Sequence, residues 1–132
     1  YVSWTSATIR FSDLDPNGHV NNGAINAFFE DGRVQFRNDW MISLGDDFLA
    51  GFALVKFSVE YFKTLHYPGS VEIGTVVTKI GRTSYVLGQG IFNGDECIAV
   101  DEVVTVCLDA QTQKSQTISD ELRAILESAQ NI

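Results

Sequence analysis

Between Asn22 and Met41, apolar side chains fall on most sides of a helical wheel: Ala24, Ile25, Ala27, Phe28, Val34, Phe36, Trp40 and Met41. Charges are confined mainly to Glu30 to Arg33 and Arg37 to Asp39. A helix this apolar is expected to be wrapped by a sheet and not to lie on a surface, so the remaining chain has to provide that sheet.

The stretches that follow have the required period. Ala53, Val55, Phe57, Val59 and Tyr61 alternate with Lys56, Ser58 and Glu60, the pattern of a half-buried strand. Three more extended stretches follow at about 70–80, 83–93 and 96–108. They are separated by Gly81-Arg82 and Asn93-Gly94-Asp95, both hairpin signals, and form an antiparallel meander. Upstream, residues 4–12 predict a strand that runs into a polar, turn-rich loop at 13–18. Downstream, Ser119 with Asp120 and Glu121 caps a short helix bearing Leu122, Ile125, Leu126 and Ala129 on one side. Strand, long helix, four antiparallel strands and a short helix make an α+β order. One sheet of this size leaves an edge exposed, so pairing of two subunits is expected.

At 132 residues the chain fits a single domain over 1–132, with no internal repeat or linker. No apolar run approaches the roughly 18 residues of a membrane helix, and no basic-then-apolar leader opens the sequence, so a cytoplasmic location is expected. Seventeen acidic against nine basic residues give a net charge of −8, which argues against nucleic acid and against anionic membranes as partners. The same charge means that a polyanionic ligand needs local cations, of which Lys56, Lys63, Lys79 and Arg82 are the available set. Cys97 and Cys107 sit in one expected strand, roughly 33 Å apart when extended, and so cannot pair.

The densest chemistry lies in Asp13-Leu14-Asp15-Pro16-Asn17-Gly18-His19-Val20-Asn21-Asn22, joining a strand end to a helix start. Asn21 or Asn22 can cap that helix, whose first amides lack partners and favour a developing oxyanion. A carboxylate at Asp15 could face a carbonyl held there. Two other readings use the same residues. Asp13, Asp15 and Asn17 can simply form an Asx-rich turn. They also match, with Gly18, the opening positions of a calcium loop, but the bidentate glutamate position is Ala24 and Pro16 interrupts the loop.

Asp13-x-Asp15-x-x-Gly18-His19-Val20-Asn21-Asn22, followed by an apolar helix with Phe28, Phe29 and Glu30 and later by Tyr67-Pro68-Gly69, resembles the hotdog-fold thioesterases. The type is that of 4-hydroxybenzoyl-CoA thioesterase and the YbgC-like enzymes, which also include the plant acyl-carrier-protein thioesterases. The resemblance implies a hotdog fold: a curved, antiparallel, five-stranded sheet wrapped around a long central helix, with a short C-terminal helix. It implies a dimer or dimer of dimers that hydrolyses an acyl-CoA or acyl-carrier-protein thioester. Asp15 falls on the catalytic carboxylate, as nucleophile or as general base. The backbone amide of Asn22 would polarise the carbonyl, with Asn17 and His19 in support.

The plant enzymes' additional acid falls near Thr64, with Glu60 close by. Arg82, Thr83 and Ser84 form the hairpin where relatives contact coenzyme A. Phe28, Phe29, Phe57 and Tyr61 are candidates for the acyl pocket, although aromatic residues at such spacing are more often plain core. Glu30 is expected to pair with Arg33 or Arg37, and His66 stands alone in the sequence, so no convergent metal ligands and no cofactor are expected. A hotdog domain that binds an acyl thioester without cleaving it is the alternative, since fold does not fix function.

Overall fold

The structure, a computed structural model, describes residues 1–45 and 51–130. Helix α1 runs Asn22–Trp40 and begins where Asn21, in extended conformation, accepts the Ala24 amide on its side-chain oxygen at 2.7 Å. Such a cap contributes about 1 kcal/mol. The buried residues of α1 are Ile25, Phe28, Phe29, Gly32, Arg33 and Phe36, a single stripe at helical spacing. The sheet therefore covers one side of the helix, while Val34 on the other side stays 47% exposed. The helix is covered by the sheet as expected, and the stripe includes one charge, Arg33.

The strands are β1 (Ser3–Ile9), β2 (Phe52–Tyr61), β3 (Gly69–Ile80), β4 (Ser84–Asn93) and β5 (Glu96–Cys107), with a second helix α2 (Asp120–Ser128). They form one antiparallel sheet in the order β1-β3-β4-β5-β2. This is the hotdog arrangement, with β1 and β2 as its edges. β1 ends earlier than expected. The Asp13 carboxylate accepts both the Arg10 amide (2.8 Å) and the Arg10 guanidinium (3.0 Å), which turns Phe11–Asp13 into a short 3-10 helix. β2 departs from simple alternation, because Leu54 pairs with Thr105 and Lys56 with Val104, leaving Val55 as a bulge. Phe57, Val59 and Tyr61 keep a common face, whereas Val55 is 58% exposed.

Close approach between α1 and the sheet centres on Gly32. A Cβ there would lie 2.6 Å from Ile73 and 2.8 Å from the Gln89 amide nitrogen, so only glycine fits. Gln89 uses the space: it donates to the Phe29 carbonyl and to Thr75 Oγ1, each at 3.0 Å, and accepts from Arg33 at 3.2 Å. Arg33 also lies 3.6 Å from Asp101 and 5.3 Å from the Phe57 ring centroid. Among the described residues no donor meets the Asp101 carboxylate in good hydrogen-bond geometry, and burial pushes its carboxyl up to about 7 against the pull of Arg33 and of the Gln89 backbone amide. This polar row divides the core. Ile25, Phe28, Phe29, Leu65, Ile73 and Ile91 pack on one side, and Phe36, Met41, Val77, Tyr85, Leu122 and Leu126 on the other.

Ser119 caps α2 by accepting the Leu122 amide, and α2 buries Leu122 and Leu126, with Ala129 buried at its C-terminal cap. Cys97 and Cys107 both lie on β5 as free thiols. Among the described residues no helix is long and apolar enough to cross a membrane.

Candidate active site

The loop between β1 and α1 is built by its own backbone. Asp15 N donates to the His19 carbonyl (2.8 Å) and Gly18 N to the Asp15 carbonyl (3.0 Å). Gly18 has φ +81°, a left-handed conformation that glycine adopts without strain. Asp13 anchors the base of the loop. Its carbonyl accepts the Asn21 amide at 2.9 Å, and its buried carboxylate is engaged by Arg10. Burial alone would raise the Asp13 carboxyl, but the bonds from Arg10 outweigh it and hold the group below the ordinary carboxylate value. With Asp13 so occupied, the calcium-loop reading loses its first position. Among the described residues no three His, Cys, Asp or Glu side chains converge as a metal site.

Asp15 Oδ1 accepts the amides of Asn17 (2.9 Å) and His19 (3.1 Å), so the Asx turn is present. Both bonds fall on one oxygen, and no described donor reaches Oδ2. The turn therefore orients the carboxylate while leaving it a free acceptor. Asp15 borders a cleft of about 260 Å³ together with Asn22 at the first position of α1. At that helix end, Ala24 N is bonded to the Asn21 side chain and Ile25 N to the Asn21 carbonyl, whereas the amides of Asn22 and Gly23 have no described acceptor. The cleft thus brings together a carboxylate and a residue, Asn22, with an unpaired helix-start amide, a pairing suited to acyl transfer.

Val20, Ile25, Phe62 and Leu65 supply apolar lining, and Tyr61, Lys63 and Thr64 complete it from the end of β2. Lys63 pairs with Glu96 at 3.2 Å. A larger hollow, about 520 Å³, lies beside Tyr1, Thr78, Gly88 and Val100, away from the Asp15 loop.

Of the candidates, Asp15, His19 and Asn22 come together with Tyr61, and Asn17 contributes its backbone amide to Asp15 while its side chain is exposed. Phe28 and Phe29 do not line this cleft; at 4% and 0% exposure they belong to the core below it. Arg82, Thr83 and Ser84 are remote within the protomer. They form the β3-β4 turn at the far end of β3, which its 12 residues make roughly 40 Å long, whereas Gly69 at the near end adjoins Ile9 and the loop. Thr64 lies at the cleft, while Glu60 pairs with Val100 on the sheet face turned away from α1. Glu30 makes no ion pair among the described residues, because Arg33 turns inward to Asp101.

His66 is not alone. It forms an antiparallel bridge with His19, their rings meet edge to face with centroids 5.1 Å apart, and its Nε2 lies 3.2 Å from Thr64 Oγ1. The neighbouring Tyr67-Pro68 peptide bond is cis.

Residues 9–126 match the thioesterase-like superfamily. The chain is 28% identical over 114 residues to "Acyl-CoA thioester hydrolase YbgC" of Escherichia coli O6:H1, covering 83% of this chain and 84% of the relative. It is 26% identical over 130 residues to "Long-chain acyl-CoA thioesterase FadM" of Escherichia coli K12, covering 93% and 96%. Among solved structures, a predicted thioesterase from Bacillus stearothermophilus superposes with a TM-score of 0.89 at 25% identity, over 98% of this chain and 96% of that one.

Proposed function

The chain belongs to the thioesterase-like superfamily, and on that premise we propose that it hydrolyses acyl-CoA thioesters with Asp15 as the essential carboxylate. The observation that carries this reading is the shared cleft. Asp15, whose Oδ2 accepts no described donor, and Asn22, whose amide has no described acceptor, border one small, largely apolar space. The Escherichia coli relatives named above support the substrate class.

In this reading the thioester carbonyl oxygen rests on the Asn22 amide, where the helix dipole stabilises the negative charge of the tetrahedral intermediate. Asp15 either takes a proton from a water that attacks the carbonyl carbon, or attacks that carbon itself to form an anhydride that water then cleaves. In both routes the C–S bond breaks, and the thiolate leaves and is protonated. His19 holds Asp15 through its backbone amide, so its role is positioning.

The functional unit is a dimer or a dimer of dimers. β2 is an open edge with Leu54, Val55 and Tyr61 exposed, and the cleft sits at its Tyr61 end. Two copies paired antiparallel along β2 about a two-fold axis would set the Tyr61 end of one beside the Phe52 end of the other. The Arg82-Thr83-Ser84 hairpin, remote from Asp15 within a protomer, then lies at the partner's cleft end, where a cation offsets the net charge toward coenzyme A.

The test is thiol release from a panel of acyl-CoA and acyl-carrier-protein substrates by the wild type and by Asp15→Asn. Loss of turnover in the variant supports the assignment, and equal rates for the two proteins exclude it.

A further inference from the structure

The cleft has two flanks. Asn22 and Ile25 belong to the first turns of α1, and residues 62–65 follow the end of β2. These flanks are tied directly: the Tyr61 hydroxyl donates to Asn26 Oδ1 at 3.0 Å. Tyr61 is the last residue of β2, pairs with the buried Ala99 and shares the α1-facing side with Phe57 and Val59, so its ring lies between the two flanks. Asn26 is four residues after Asn22, hence on the same side of the helix and about 6 Å further along its axis. An acyl chain whose carbonyl oxygen rests on the Asn22 amide and which runs along α1 meets the Tyr61–Asn26 tie about one helical turn from the reacting carbon.

We propose that Asn26 is a specificity-determining residue, which limits acyl length by holding the Tyr61 ring between α1 and β2. The inference rests on the thioesterase reading of the same cleft and deepens it. Nothing about Asn26 in the sequence marks it, since an asparagine in a helix ordinarily faces water. Its function comes from the tyrosine it holds. Tyr61 is 41% exposed and Asn26 half-buried, so cutting the bond leaves the fold intact. Its effect is on where the ring can go: with the tie cut, the ring gains rotamers that open the end of the cleft.

The experiment compares kcat/KM for butyryl-, octanoyl- and palmitoyl-CoA in wild type, Asn26→Ala, Tyr61→Phe and Asn26→Asp. Tyr61→Phe keeps the ring and removes only the donor, and Asn26→Asp keeps an acceptor oxygen. The expected result is a palmitoyl-to-butyryl ratio raised about fivefold or more in Asn26→Ala and Tyr61→Phe, the size of effect one hydrogen bond can hold, with the wild-type ratio retained in Asn26→Asp.

Ratios within about twofold of wild type in both tie-cutting variants, less than that bond is worth, would overturn the proposal while leaving the Asp15 assignment standing. If the wild type turns over no thioester, the catalytic reading fails, and the same comparison is made by calorimetry with non-hydrolysable acyl-CoA thioethers of the three lengths. A relative gain in affinity for the longest chain in the two variants supports the length filter. An unchanged order, or no binding of any analogue, overturns it.

Discussion

His19 and His66 meet edge to face across an antiparallel bridge, with ring centroids 5.1 Å apart, and thereby join the Asp15 loop to the segment that precedes β3. The junction is reinforced by the Val20 amide donating to the Leu65 carbonyl at 2.9 Å. Because the His19 amide in turn holds Asp15 Oδ1, the position of the proposed catalytic carboxylate depends on a contact made from a distant part of the chain.

Replacing His66 therefore acts on catalysis through position. His66→Ala is expected to lower kcat for acyl-CoA hydrolysis roughly tenfold with a smaller change in KM, as displacement of a reacting group by a fraction of an ångström does. His66→Phe, which keeps a ring against His19, should recover most of that loss. Steady-state kinetics on the two variants checks this, and equal defects in both would mean that the ring contact is immaterial.

The Asn21 cap sets where α1 begins and hence which amides stay free. Asn21→Ala should cost about 1 kcal/mol of stability, and Asn21→Asp should restore most of it. Denaturant unfolding measures the first effect. Thiol-release assays should show a parallel loss and recovery of kcat, because frayed amides stabilise an oxyanion poorly.

Gly32 is the point of closest packing between helix and sheet. Gly32→Ala would force a Cβ against Ile73 and Gln89 and strain the Gln89 bonds to Phe29 and Thr75. The expected cost is about 1–3 kcal/mol, seen as a fall in Tm of roughly 5 °C or more by calorimetry. Unchanged Tm would mean that α1 can lift from the sheet without penalty.

Asp101 makes stability depend on pH. Burial raises its carboxyl from the ordinary 3.8 to about 7, with Arg33 pulling the other way. A carboxyl raised on folding binds its proton more tightly in the folded state. The associated stability is fully present below pH 3.8 and is lost as the pH rises through about 7. Tm should therefore fall as the pH rises from about 4 to about 7 and level off above that, and Asp101→Asn should flatten that part of the curve. Parallel Tm curves for wild type and variant would show that Asp101 does not titrate in this range.

Much of the molecule was legible from local pattern. The spans of α1, β3, β4 and β5, the turn at Asn93-Gly94-Asp95, the Ser119 cap and the strand-loop-helix segment around Asp15 depend on periods of two or 3.6 and on bonds between residues a few positions apart. A sequence displays such relations directly. What it did not display depends on strand register and on which distant surfaces meet. The bulge at Val55, the inward turn of Arg33 toward Asp101, the His19–His66 contact and the Tyr61–Asn26 tie are of this kind.

The candidate site divides along the same line. Asp15, His19 and Asn22 were identifiable as candidates because one short loop and the helix start that follows it carry all three. The burial of Phe28 and Phe29 beneath the cleft, and the separation of Arg82 from Asp15 by the length of β3, were decided only when the sheet closed on the helix. Local chemistry is written in neighbouring residues, whereas burial and distance are properties of the whole packed chain.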